Sequence, residues 1–260
     1  MREDGGLGRV EVGRGLEGQQ RMFLGVLLVM RILSMVLIVR GCKSRSAQQE
    51  QPGETADAQQ NAPESVVPTE PDTTVTIAAV GDIMMYDEQL DAARQDDGTY
   101  DFTSSFAAVS GSTVSADLTV GNLELNFCGE PYSGKPDFRA PESLAKTLSS
   151  IGFDVLQTAN TYSIQNGLSG LQSTIRYLDA AGLSHVGTYA AQDDKTSLGG
   201  VLLKNVNGVK IAFIAYTKGL NYLTLPEGEE YAVDVLYTDY ASDFNKINTD
   251  AIVESVNAAK

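Results

Sequence analysis

Residues Phe153–Gly182 read "FDVLQTANTYSIQNGLSGLQSTIRYLDAAG". The first seven are a short apolar run of the kind that forms a buried strand. A polar loop of Asn, Thr, Tyr, Ser and Gly residues follows. Beyond it, Leu168, Leu171, Ile175 and Leu178 recur at three- and four-residue intervals, which puts them on one face of a helix that stops at Gly182. Strand, polar loop and amphipathic helix make the repeating unit of an α/β fold. Ligands in such folds sit beyond the carboxyl ends of strands, so the loop around Asn160 is a candidate site.

The same alternation extends both ways. Upstream, "TVTIAAV" reads as a buried strand that ends at Gly81 and Asp82, followed by helix-like stretches "YDEQLDAARQ" and "FTSSFAAVSGSTVS". A second strand, "DLTVGNLE", leads through a loop to "PESLAKTLSSIG", with Pro at a helix start and Gly at its stop. Downstream come a short strand "SHVGTY" and a hairpin "GGVLLKNVNGVKIAFIAYT" turned at Asn207 and Gly208. A polar loop then runs to about Asp239, and "NKINTDAIVESVNAAK" reads as a final amphipathic helix. The hairpin predicts a mixed rather than a purely parallel sheet.

Met22 to Val39 is the one long apolar run and would span about 27 Å as a helix. Arg31 near its middle would cost about 2.5–3.5 kcal/mol in a bilayer, which favours a processed export signal over a stable span. Gly41 and Cys42 follow in "VRGCK", a pattern similar to the lipobox at which bacterial lipoproteins are cleaved and acylated on cysteine, although Arg40 departs from it. Residues 1–42 are therefore expected to be an extension plus a signal or lipoprotein anchor, with Cys42 as the lipidation site. Residues 43–72, rich in Gln, Glu, Ala and Pro, cannot bury enough apolar surface to offset chain entropy and read as a disordered tether. The folded domain is expected over 73–260, on the outer face of the cytoplasmic membrane.

Residues 1–45 carry eight Lys/Arg against four Asp/Glu, so residues 46–260 hold −19 against a whole-chain charge of −15. Such an acidic body repels phosphate backbones and excludes nucleic acid as a partner. Only Cys42 and Cys128 are present, so no disulfide framework is implied and Cys128 reads as a small buried residue. The single histidine, His185, lies in a short strand away from the polar strand ends and reads as an ordinary residue of the fold.

Three strand ends carry polar clusters: "GDIMM" at 81–85, "GNLE" at 121–124 and "TANTYSIQNG" at 158–167. Taken alone, Asp after Gly also caps helices, and Asn also suits turns. With "LDAAGLSHVGTY" and "NGVKIAFIAYT" in the same order, the five motifs resemble the CapA family of capsule and poly-γ-glutamate synthesis proteins, roughly from Thr76 to Asn221. That resemblance implies a fold similar to calcineurin-like metallophosphoesterases, a mixed β-sandwich flanked by helices that gathers metal at its strand ends. It implies a divalent metal (Mn, Mg, Fe or Zn) held by Asp82 and Glu124, which suits the preference of hard cations for oxygen ligands. Asn122 and Asn160 rank second for the metal, as a ligand or as an orienting hydrogen bonder; Asn122 would also bind substrate, and Asn160 and Tyr162 would contact it during catalysis. Where the family shows A-N-N-H, this chain has Ala159, Asn160, Thr161 and Tyr162. Tyr162 can donate a hydrogen bond but is a poor proton shuttle at neutral pH. The family continues past the equivalent of Lys260 with a further strand and His-containing motifs, so the sandwich is expected to be incomplete.

Three functions follow as expectations. One is an anchored CapA-like protein in capsule or poly-γ-glutamate synthesis or export, partnered by the membrane and an envelope polymer or its synthesis complex, with metal-dependent phosphoester-type hydrolysis as its chemistry. Another is a non-catalytic binding or scaffolding member with a degenerate site. The third, a solute-binding lipoprotein, does not predict the three polar motifs at successive strand ends.

Overall fold

The computed structural model describes residues 73–260; the anchor expected over 1–42 and the tether expected over 43–72 lie outside the described residues. Four strands, β1 (Ile77–Ile83), β2 (Leu118–Leu123), β3 (Val155–Gln157) and β4 (Ser184–Val186), form one sheet in the order β1-β2-β3-β4. Every pair in it is parallel. Parallel neighbours need crossovers, and helices supply them. Between β1 and β2 lie α1 (Asp87–Ala93), α2 (Thr103–Phe106) and α3 (Ser110–Ser115). Helix α4 (Ser143–Ser150) joins β2 to β3, and α5 (Gly167–Ala180) joins β3 to β4.

Strand alternation divides the apolar side chains between two cores. On one side Ile83, Leu123 and Leu156 pack with Leu90, Leu144 and Leu148 of the helices. On the other, Leu118, Val155 and Val186 pack with Leu171 and Ile175 of α5 and with Leu220 and Val233. Val155 and Leu156 are adjacent in the chain and fully buried in different cores, which is why β3 reads as a continuous apolar run.

Three expectations are corrected. The hairpin, β5 (Leu202–Val206) and β6 (Val209–Phe213), does not join the parallel sheet but forms its own antiparallel pair. One of its faces, with Leu202, Val206 and Phe213, packs on the second core while Leu203 stays exposed, so side chains rather than backbone bonds hold it there. The α/β class stands, with its mixed character spread over two sheets. Among the described residues β2 is the one neighbour of β1 in the sheet, and Ile77 and Val80 are exposed rather than buried because no element of those residues covers them. The last helix, α7 (Thr249–Ala258), starts later than its pattern predicts. The Asp239 carboxylate accepts hydrogen bonds from the backbone N–H groups of Asn245 and Lys246, both at 3.0 Å, and ties that segment into a loop. Among the described residues no helix is long and apolar enough to cross a membrane.

Candidate functional site

Asp82 lies inside β1 rather than beyond it. The pairing register with β2 shifts between Ala79 and Asp82, and the shift brings Asp82 directly opposite Asn122. Irregularities of this kind re-aim a side chain, and they are over-represented beside active sites. Asn122 and Glu124 are two residues apart on an extended chain and so share a face. Gly121 is required before them: a Cβ there would come within 2.7 Å of the Phe153 ring.

The Asn122 amide joins both carboxylates. Its Nδ2 donates to Asp82 Oδ1 at 2.8 Å and to Glu124 Oε2 at 2.9 Å. Two acceptors on one side dictate which end of the amide carries hydrogens. Its Oδ1 accepts from Asn160 Nδ2 at 3.1 Å, and the same Nδ2 donates to the Leu123 carbonyl at 2.7 Å. Asn160 Oδ1 in turn accepts from the Tyr162 backbone N–H at 3.1 Å. Asn160 is thus buried and spent on internal bonds, bolting the β3 loop to β2. Ser163 completes the turn: its hydroxyl accepts from the Asn160 N–H at 2.8 Å and donates to the Thr158 carbonyl at 2.7 Å. The Tyr162 ring meets Phe138 edge-on with centroids 4.6 Å apart.

The structure therefore brings Asp82, Asn122, Glu124 and Asn160 into one hydrogen-bonded chain across three strands. Burial, then the charge of Asp82, pushes the Glu124 carboxyl above its ordinary value, and the Asn122 amide offsets part of that rise. A half-buried carboxylate facing another carboxylate is an arrangement that a cation relieves. Each carboxylate keeps an oxygen free of the Asn122 bonds, and the donors are oxygens throughout, so the residues fit one hard divalent cation. Among the described residues no group of three or more His, Cys, Asp or Glu forms a larger metal cradle.

Two other expectations meet the structure here. Cys128 is half-buried rather than enclosed, and burial raises its thiol, which leaves it inert. His185 faces Asp179 of α5 at 3.8 Å, and burial pulls its imidazole down.

Sequence reasoning missed a second polar cluster. Past β4, the Tyr189 hydroxyl donates to Asp234 Oδ2 at 2.7 Å, and Lys195 Nζ, from helix α6 (Gln192–Leu198), meets Asp234 Oδ1 at 2.7 Å. Asp234 is 2% exposed, and burial raises its carboxyl despite the lysine. The one local sign of it is a carboxylate set between Val233 and Val235 in an apolar run.

Comparison with known proteins places the chain in a family. The family described as "Bacterial capsule synthesis protein PGA_cap" matches residues 76–260. The chain is 25% identical over 192 residues to the capsule biosynthesis protein CapA of Bacillus anthracis, covering 72% of this chain and 42% of that protein. It is 26% identical over 158 residues to the PGA biosynthesis protein CapA of Bacillus subtilis, covering 58% of this chain and 39% of that protein. The chain thus spans about two fifths of the length of these relatives. An uncharacterized protein of Sinorhizobium fredii is 35% identical over 81 residues, 28% of this chain and 17% of that protein. With its parallel sheet and the "GD", "NLE" and "AN" motifs joined side chain to side chain, this chain belongs to the bacterial capsule synthesis protein family PGA_cap, the CapA family.

Proposed function

We propose that the protein works in the synthesis or export of an anionic envelope polymer, capsule or poly-γ-glutamate, at the outer face of the cytoplasmic membrane, and that Asp82 and Glu124 hold a divalent cation there. The observation that carries this is the Asn122 amide clamping both carboxylates at 2.8 and 2.9 Å. When bound, the cation would supply Lewis-acid polarisation of a phosphoester-type substrate. The chain's own residues do the rest. Asn122 fixes the two carboxylates, Asn160 positions Asn122, and Tyr162 stands beside the same loop to contact substrate.

A second reading, a non-catalytic binding or scaffolding member, is favoured by one observation: the pair Thr161 and Tyr162 stands where the family carries Asn and His. Titration of the full chain, held in mild detergent, with Mn²⁺ and Mg²⁺ separates the two. On the first reading Asp82→Ala weakens Mn²⁺ at least about 100-fold and removes any phosphodiesterase activity in parallel. Activity with no cation bound, or unchanged by Asp82→Ala, refutes it.

Glu124→Gln adds a pH signature. A carboxyl whose folded value lies above its unfolded value stabilises fully below the unfolded value of 4.5, and that contribution is lost as pH rises through the folded one. Without added metal at pH 7, Glu124→Gln should therefore melt higher than wild type, by about 1–2 °C given solvent screening, while losing the rise that Mn²⁺ produces.

The anchor is part of the proposal. Cys42→Ser should move the protein from the membrane fraction to the soluble fraction and abolish incorporation of labelled fatty acid. Unchanged labelling removes Cys42 from the proposal.

A further inference from the structure

A cavity of about 380 Å³ opens beside the Asn160 loop. Thr161, between Asn160 and Tyr162, lines it together with Lys218, Tyr222, Tyr240 and Phe244. The volume falls in the range of small-molecule pockets, about 300–1,000 Å³.

The backbone around this cavity is strained. Among the described residues five non-glycine residues have positive φ, and three of them line it: Asn221 at 51°, Tyr222 at 64° and Phe244 at 53°. Such conformations cost roughly 1–3 kcal/mol each, persist only where surroundings over-determine them, and cluster at ligand sites. The Asn221 amide donates to Gln165 Oε1 at 2.9 Å, which ties this loop to the Asn160 loop. Tyr222 is 100% exposed, so the strain presents an aromatic ring to solvent instead of burying it.

The electrostatics select the ligand. Lys218 is the one charged residue lining the cavity. Its Nζ sits 4.9 Å from the Phe244 ring centroid, and among the described residues it makes no ion pair. A cation held over an aromatic face and free of a carboxylate is placed to receive an anion. The Tyr222 ring offers a flat apolar face, and the Thr161 and Ser242 hydroxyls offer polar groups near it. The walls are loops and contain none of the strand edges that extended peptides use for backbone pairing.

We propose that this cavity binds one anionic sugar unit, a pyranose bearing a carboxylate or a phosphate, with Lys218 on the anionic group and Tyr222 stacked on the ring face. This deepens the proposed function and rests on it for the role of the neighbouring carboxylates: the cavity presents a polymer unit to the Asp82–Glu124 end.

Calorimetric titration of the full chain in mild detergent with EDTA present tests binding apart from metal. The probes are glucuronate, glucose 6-phosphate, glucose and γ-glutamylglutamate. One or both anionic sugars should bind, with glucose about tenfold weaker or more. Lys218→Gln should remove that preference, and Tyr222→Ala, at a fully exposed position where folding is not at stake, should weaken the bound sugars about fivefold. Failure of both anionic sugars to bind, binding unaffected by both variants, or binding of γ-glutamylglutamate in place of sugars overturns the inference. Sugar binding in a protein that takes up no Mn²⁺ supports the cavity and removes only the cation reading.

Discussion

Replacing Gly187 by alanine is expected to destabilise the domain by about 2–5 kcal/mol, enough to leave a substantial unfolded fraction in a marginally stable protein. Gly187 follows β4 and has a φ of +94°, which L side chains rarely adopt. A Cβ there would lie 2.5 Å from the Ala159 Cβ and 3.1 Å from both the Cβ and the carbonyl oxygen of Ala215. None of these is the tip of a flexible side chain, so the backbone must give. Two costs therefore add, a conformational one of about 1–2 kcal/mol and an overpacking one of about 1–3 kcal/mol. Urea denaturation should show a lower midpoint at unchanged slope. Adding Ala159→Gly should return part of the loss, because it removes the 2.5 Å clash and leaves the φ penalty. A single-variant loss below about 1 kcal/mol would count against the close packing of the two loops. The contact matters to function as well, since Ala159 immediately precedes Asn160, the bolt of the carboxylate cluster.

Lys195→Met should cost about 3 kcal/mol at neutral pH. The substitution keeps the stem's volume and removes the charge 2.7 Å from Asp234 Oδ1, leaving a carboxylate that is 2% exposed with the Tyr189 hydroxyl as its hydrogen-bond donor. The pH dependence identifies the cause. Burial holds the folded Asp234 carboxyl above its ordinary 3.8 even with the lysine present. A raised folded value means that stability is fully present below 3.8 and is lost as pH rises through the folded value. Without Lys195 the folded value rises further and the loss deepens, so the deficit of Lys195→Met relative to wild type should be largest at neutral pH and shrink toward acid. A deficit independent of pH would mean that lost packing of the lysine stem, rather than an unpaired charge, sets the cost. Lys195→Met combined with Asp234→Asn should recover much of the stability, because the replacement buries no charge.

The two clusters differ in how far local sequence announces them. Asn122 and Glu124 share a face by their spacing alone, and "GD" and "AN" after apolar runs mark strand ends without any knowledge of what they touch. That Asp82 stands opposite Asn122 depends on a register shift in β1 and on β1 choosing β2 as its neighbour, neither of which has a local signature. Asp234 and Lys195 are 39 positions apart in sequence, and neither carries a motif. Strand β1 shows the converse failure: its β-branched run predicts burial, yet no element of the described residues covers Ile77 and Val80, which stay exposed.

Periodicity along the chain alone determined the order of the six strands and of the longer helices and marked the three polar motifs, because a helix or strand is built from neighbours in sequence and its apolar pattern records which face is covered; the short polar helix α6, which lacks such a pattern, and the place of Asp82 inside β1 were not legible. Tertiary structure alone decided which strands pair, that the hairpin stands apart from the parallel sheet, that one asparagine amide holds two carboxylates from adjacent strands, and that Thr161, Lys218, Tyr222 and Phe244 line one cavity. Those features are contacts between residues tens of positions apart. They arise from the packing of whole elements, where register and burial are settled collectively and no single stretch of sequence carries the outcome.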